Sequence, residues 1–284
     1  MTVHIALANQ DHAVLFSDSQ GSTDRSEFHG WHKQFVGNNF AVGVAGHGWI
    51  LSRLFDHLQS QFSTDKDATT NDVSKSIEQF IKTDVRTEMQ GTVSVLLLGF
   101  DNAGEIGVSQ FEPGVFHSFN RRIKFGSIGS GSEFVGIANA RNDALGLGLP
   151  FGTIADLLIS AVHYAEAANE SLTVDDLLSA VLFANGKTYL LGEPEVVVTY
   201  AHAEVLKQWH KIGGYWQMLR AQVDVISGEI REATRLFSSI RSATLAAADL
   251  NAIALMNQSV ESNRVALESA IATYFDFYDR LIGR

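Results

Sequence analysis

Cysteine is absent from this 284-residue chain, which excludes disulfides, thiol nucleophiles and thiolate metal sites. No apolar run approaches the roughly 18 residues that a membrane-spanning helix needs, so no membrane partner is expected. The N-terminus has no basic stretch leading into an apolar one, as a secretory leader would, and the expected location is the cytoplasm. Basic residues are scarce: 21 Lys and Arg stand against 32 Asp and Glu, a net charge of −11. The imbalance is local. Residues 204–284 carry nine basic and nine acidic side chains, leaving 12 basic and 23 acidic ones in residues 1–203. An acidic body is a poor match for nucleic acid, whose phosphates are bound through Lys and Arg. Proline occurs three times, never after residue 194, which leaves the C-terminal part free to form helices.

What is present is an ordinary globular mixture, 45% hydrophobic and 19% charged, enough for one large domain with an appendage. Residues 3–8 and 13–18 read as short strands around the turn Asn9-Gln10-Asp11-His12, and 19–30 as a polar loop. Two strands follow within 33–45, around Gly37-Asn38-Asn39. Amphipathic helices are predicted at 49–62 and about 71–88. The apolar run from Val93 to Gly99 is expected to be a strand covered on both faces. Strands at 105–111, 115–119 and 123–128, helices at about 132–146 and 153–169, and a hairpin across Ala184-Asn185-Gly186 complete residues 1–203. Strands and helices come in blocks, which argues against a doubly wound parallel sheet. The expected class is α+β, a four-layer αββα sandwich of two antiparallel sheets flanked by helices. Residues 204–284 form a helical C-terminal extension of two or three helices, with a break at Gly213-Gly214.

Thr2 is the first candidate for chemistry. Once Met1 is removed, its hydroxyl and a free α-amine belong to one residue, a nucleophile and its base. Asp18 closes the second strand, where an Asx turn is an alternative role. Lys33 precedes the third, where a solvated edge lysine is an alternative. Gly129-Ser130-Gly131 is no dinucleotide loop, because it follows antiparallel strands and opens no βαβ unit. A metal needs three or four converging ligands, which His29, His32 and His47 do not supply at recognisable spacing. His47 is instead a candidate for lining a substrate pocket. No metal or organic cofactor is expected.

Five elements in this order carry a family resemblance: Thr2; Asp18 in Ser17-Asp18-Ser19; Lys33 in Lys33-Gln34-Phe35; Gly46 in Ala45-Gly46 before a helix; and Ser130 in Gly129-Ser130-Gly131-Ser132. Residues 2–191 resemble a proteasome β-type subunit, in the N-terminal-nucleophile (Ntn) hydrolase superfamily that includes the bacterial HslV-type peptidases. The resemblance implies a threonine peptidase. In it, Thr2 attacks the peptide carbonyl, Lys33 lowers the hydroxyl pKa by its charge, and Asp18 orients Lys33. The backbone N–H of Gly46 stabilises the oxyanion, and Ser130 helps hold the α-amine. The family usually shows Asp, two residues, then Ser after the fourth helix. This chain has Glu170-Ser171-Leu172-Thr173, which keeps both functional groups and lengthens the acid by a methylene.

The resemblance further implies unfolded-protein or peptide substrates, a homo-oligomeric ring or related assembly, and an ATP-dependent unfoldase as a candidate partner. The 204–284 extension has no counterpart in the ordinary β-subunit pattern. Two other readings stay open on the same fold: a catalytically inactive structural ring subunit and an Ntn amidase acting on small molecules.

Overall fold

The computed structural model describes residues 3–18, 21–22, 27–28, 33–63, 67–112, 122–144, 151–169, 178–193, 205, 207–240 and 247–283. Its class is α+β, with two five-stranded antiparallel sheets and, among the described residues, seven helices. The first strands are β1 (Val3–Ala8) and β2 (Ala13–Asp18). Asn9 shapes the turn between them, its Oδ1 accepting the backbone N–H groups of Asp11 at 2.9 Å and His12 at 2.7 Å, an Asx turn. Every residue of β1 and β2 is buried, so both faces of this hairpin are covered.

β1 and β2 are the centre of the first sheet. β10 (Phe125–Gly129) flanks β1, β11 (Leu178–Ala184) flanks β2, and β12 (Lys187–Gly192) lies outermost. The β11–β12 turn has Asn185 and Gly186 at φ 54° and 70°, the left-handed pair that a two-residue hairpin turn requires. The second sheet runs β5 (Gln34–Val36), β6 (Phe40–Ala45), β7 (Ser94–Phe100), β8 (Ile106–Phe111), β9 (Arg122–Ile123). β3 (Gly21–Ser22) and β4 (Glu27–Phe28) make a small ribbon in the segment predicted as loop. The strand predicted at 115–119 lies outside the described residues.

The period-2 geometry of a strand explains the continuous apolar runs of β6 and β7. Phe40, Val42, Val44, Val95 and Leu97 share a core with Ile50, Leu54 and Leu58 of α1 (Gly48–Phe62) and Val73, Ile77 and Phe80 of α2 (Thr70–Asp84). The alternate residues Ala41, Ala45, Leu96 and Leu98 join the larger core built on β1, β2, β11 and β12. The predicted helix at 71–88 is two pieces, because Val85 turns extended before the short α3 (Thr87–Gln90). α4 (Ser132–Ala144) and α5 (Ile154–Asn169) follow β10, and the α5 residues Ala155, Leu158, Val162 and Ala165 enter the larger core.

The C-terminal extension belongs to that same core. It consists of α6 (Trp209–Ile240) and α7 (Ala247–Ile282), of 32 and 36 residues, hence roughly 48 and 54 Å long. They run antiparallel: Tyr215 stacks on Phe277 at 4.6 Å, while Ser259 bonds Glu229 at 2.6 Å. The predicted break at Gly213-Gly214 does not occur. Ile212 and Trp216, on either side, are fully buried, and their packing offsets the roughly 1 kcal/mol that each helical glycine costs. Trp216 meets Phe16 of β2 at 5.9 Å and donates its indole N–H to Glu193 at 2.8 Å. Phe275 stacks on Tyr189 at 4.0 Å, and Tyr274 donates its hydroxyl to the Leu190 carbonyl. Burial holds the Tyr274 phenol well above its ordinary pKa, so it stays a donor.

Charged clasps complete this seam. Lys187 pairs with Asp279 at 2.7 Å, Arg264 with the buried Asp156 at 3.2 Å, and Arg231 with Glu166 at 2.7 Å. Ser227 also donates to Glu166 at 2.9 Å. Burial raises the Glu166 pKa against these donors, while burial and the Arg231 charge lower that of His163. No described helix is long and apolar enough to cross a membrane.

Two outcomes follow from the seam. Trp216→Ala is expected to lower the unfolding free energy by about 3–5 kcal/mol, measured as a reduced urea midpoint. His163 binds its proton less readily folded than unfolded, so its contribution is present above the ordinary histidine value of 6.5 and is lost as pH falls below it. His163→Gln should therefore flatten the decline of melting temperature on acidification below about pH 6.5. It should not abolish that decline, because burial also lowers the His12 pKa.

Candidate active site

Asp18 and Lys33 meet inside the protein. Asp18 ends β2 and Lys33 immediately precedes β5, so each sits where one sheet gives way to a connection. The Lys33 Nζ donates to both carboxylate oxygens of Asp18 at 3.0 Å, and the two side chains are 1% and 0% exposed. Asp18 Oδ1 also accepts the backbone N–H of Val3 at 2.8 Å. One buried carboxylate thus joins the start of β1 to the lysine. The reading of Lys33 as a solvated edge lysine is set aside by this burial.

The glycine and serine motifs frame the same end of β1. Gly129 lies opposite Val3 in the β1–β10 register, which brings the turn holding Ser130 to the N-terminal end of β1. Ser130 itself is exposed and stands just before α4. Gly46 follows β6 with φ 148°, and a Cβ placed there would lie 2.7 Å from the Thr92 carbonyl oxygen. Both the conformation and the contact require glycine. Thr2, Glu170 and Thr173 lie outside the described residues, as do His29 and His32. His47 is exposed at the N-terminus of α1. Among the described residues, no group of three or more His, Asp or Glu side chains could hold a metal.

Beside the ion pair lies a polar network that sequence reading missed. His4, Ser17 and Gln34 are each fully buried, and each is the chain neighbour of Val3, Asp18 or Lys33. His4 Nε2 lies 3.0 Å from the Val44 carbonyl of β6, in the other sheet. A carbonyl only accepts, so Nε2 carries a proton, and in the neutral ring Nδ1 accepts from the Ser17 hydroxyl. Ser17 Oγ in turn accepts from Gln34 Nε2 at 2.7 Å, and the same amide donates to the Leu15 carbonyl at 3.2 Å. Gln34 Oε1 accepts from the Ser179 hydroxyl of β11 at 3.4 Å. Gly43 gives the imidazole room, since a Cβ there would stand 2.8 Å from Nδ1. The available signal was three polar residues inside otherwise apolar strand segments.

Chemically, the arrangement fixes an ammonium group beside the first peptide N–H of β1, with its charge balanced by a carboxylate that also holds that N–H. No protein-family model matches the sequence, and no curated protein matches it.

The pair should be costly to break from one side. Lys33→Ala leaves the Asp18 charge buried and uncompensated and is expected to cost about 3–5 kcal/mol. The double variant Asp18→Asn/Lys33→Met removes both charges while keeping an acceptor for Val3, and should recover most of that loss. Urea unfolding of the three proteins measures the difference.

Proposed function

We propose that this protein is a threonine peptidase of the N-terminal-nucleophile type, with the four-layer αββα architecture of that superfamily. The observation that carries the proposal is the buried Asp18–Lys33 pair bonded to the amide of Val3, the residue that follows Thr2. The two antiparallel sheets and the glycine-only backbone at Gly46 support it as well.

In this mechanism Met1 is removed and the Thr2 α-amine accepts the proton of the Thr2 hydroxyl. The oxygen attacks the carbonyl carbon of a peptide bond. The oxyanion that forms is stabilised by the Gly46 N–H, a type of donor worth roughly 3–4 kcal/mol in comparable sites. Collapse of the tetrahedral intermediate breaks the C–N bond, the proton passes to the leaving amine, and an acyl ester remains on Thr2. Water, activated by the same α-amine, hydrolyses the ester and restores the hydroxyl. Lys33 supplies a fixed positive charge that favours the alkoxide, and Asp18 keeps that charge in place. Ser130, Glu170 and Thr173 hold the α-amine. No step uses a metal or an organic cofactor. Substrates are peptides or unfolded proteins, taken up by a cytoplasmic homo-oligomeric assembly, with an ATP-dependent unfoldase as the candidate partner.

A peptide epoxyketone, which reacts with the hydroxyl and amine of an N-terminal threonine, should add its mass to Thr2. Thr2→Ala should abolish both the adduct and peptide turnover, and intact mass should show the loss of Met1. Retained Met1 with no adduct would instead identify the inactive structural subunit. Turnover of simple amides but not of peptides would identify the small-molecule amidase.

A further inference from the structure

Each of the three segments that meet at the ion pair carries a completely buried polar residue next to the one that makes the contact there. Val3 is followed by His4, Asp18 is preceded by Ser17, and Lys33 is followed by Gln34. The second residues bond one another as the first ones do: Gln34 to Ser17 at 2.7 Å, and Ser17 to His4. Outer contacts tie this set to two further strands, through the Val44 carbonyl of β6 and the Ser179 hydroxyl of β11, and back to β2 itself through the Leu15 carbonyl. A fully apolar cluster would fill the same space without leaving polar atoms to satisfy. Directional bonds do what apolar packing cannot, because they fix rotation and register as well as separation.

We propose that His4, Ser17 and Gln34 are positioning residues: their hydrogen-bonded chain sets the relative placement of β1, β2 and β5 and thereby aims Lys33 at the start of β1. This rests on the peptidase reading for its catalytic consequence, while the placement of Lys33 can be tested apart from it. A neutral His4 with its proton on Nε2 gives every link a donor and an acceptor. Ser17 is the hub, since it donates to His4 and accepts from Gln34. Removing the hub frees both neighbours, and with them the backbone segments that carry Asp18 and Lys33. Displacements of about an ångström suffice to cost roughly a hundredfold in rate when a reacting group must be aligned.

The test uses the full chain and the variants Ser17→Ala, Gln34→Met and Ser17→Thr. Lys33 accessibility is measured by limited acetylation with acetic anhydride, quantified by mass spectrometry against the more exposed Lys187. At a temperature well below the unfolding transition of every variant, Ser17→Ala and Gln34→Met should each raise Lys33 acetylation about tenfold, and Ser17→Thr, which keeps the hydroxyl, should restore protection. With a fluorogenic peptide, kcat should fall about 10- to 100-fold while KM stays within about twofold. If either variant does not fold, the other together with Ser17→Thr carries the test. Lys33 protection unchanged from the native chain overturns the proposal. If Lys33 loses protection while turnover is unaffected, the positioning stands and the peptidase role of Lys33 fails. A native chain that takes no label at Thr2 likewise defeats the peptidase reading, and the acetylation result still decides the positioning.

Discussion

A carboxylate and an ammonium removed from water must find each other, or each must give up its charge. The Asp18–Lys33 pair satisfies that condition at a point where three segments converge, and much of the body is arranged so that it can. Asp18 arrives on a strand buried on both faces, and Lys33 arrives at the head of the edge strand of the other sheet. A buried pair of this kind is weak evidence for stability, since well-packed apolar residues of similar volume often do as well. Its burial beside a second polar set, His4, Ser17 and Gln34, is the kind of arrangement that specifies one placement of the segments. The additional bond from the Val3 N–H ties the start of β1 into the same point.

The same economy appears on the far side of the first sheet. The C-terminal helices are not held by one kind of force. Trp216, Ile212, Leu219 and Tyr274 supply buried apolar area, while Glu166, Asp156 and Asp279 receive Arg and Lys partners across the seam. Asp156 carries two duties, since its carboxylate also accepts the Thr153 N–H at 3.0 Å at the start of α5. A helix N-terminus favours negative charge, and Arg264 balances what the cap leaves over. The extension is thus fastened to the helix that covers β1 and β2, and its neutral overall charge contrasts with the acidic body to which it is bound.

Strand placement was legible in the sequence wherever periodicity and turn residues agreed. The runs 3–8 and 13–18, the Asn185-Gly186 turn and the 49–62 stripe all have such agreement, and the structure has elements at each. Pairing of Asp18 with Lys33 was legible only through family resemblance, because nothing local to either residue tells of the other. Thr2, Glu170 and Thr173 stay expectations, lying outside the described residues. Two features were hidden for physical reasons. Gly213-Gly214 looked like a stop, yet the aromatic and aliphatic anchors on either side decide the helix. His4 and Ser17 face each other across the β1–β2 hairpin, but Gln34 belongs to the other sheet and reaches Ser17 only where the two sheets pack together.

The strand order of the first sheet has a consequence for synthesis. The earliest hairpin, β1–β2, ends up in the middle of the sheet, with Val3 opposite Gly129 and Asp18 opposite Leu178. At roughly 5–20 residues per second on the ribosome, its edges wait on the order of ten seconds before β10 and β11 exist to cover them. In that interval it is an apolar ribbon with two open edges, of the sort that joins its own kind. The topology therefore trades early completion of the sheet for a first hairpin that is central in it, flanked by strands that are synthesised later.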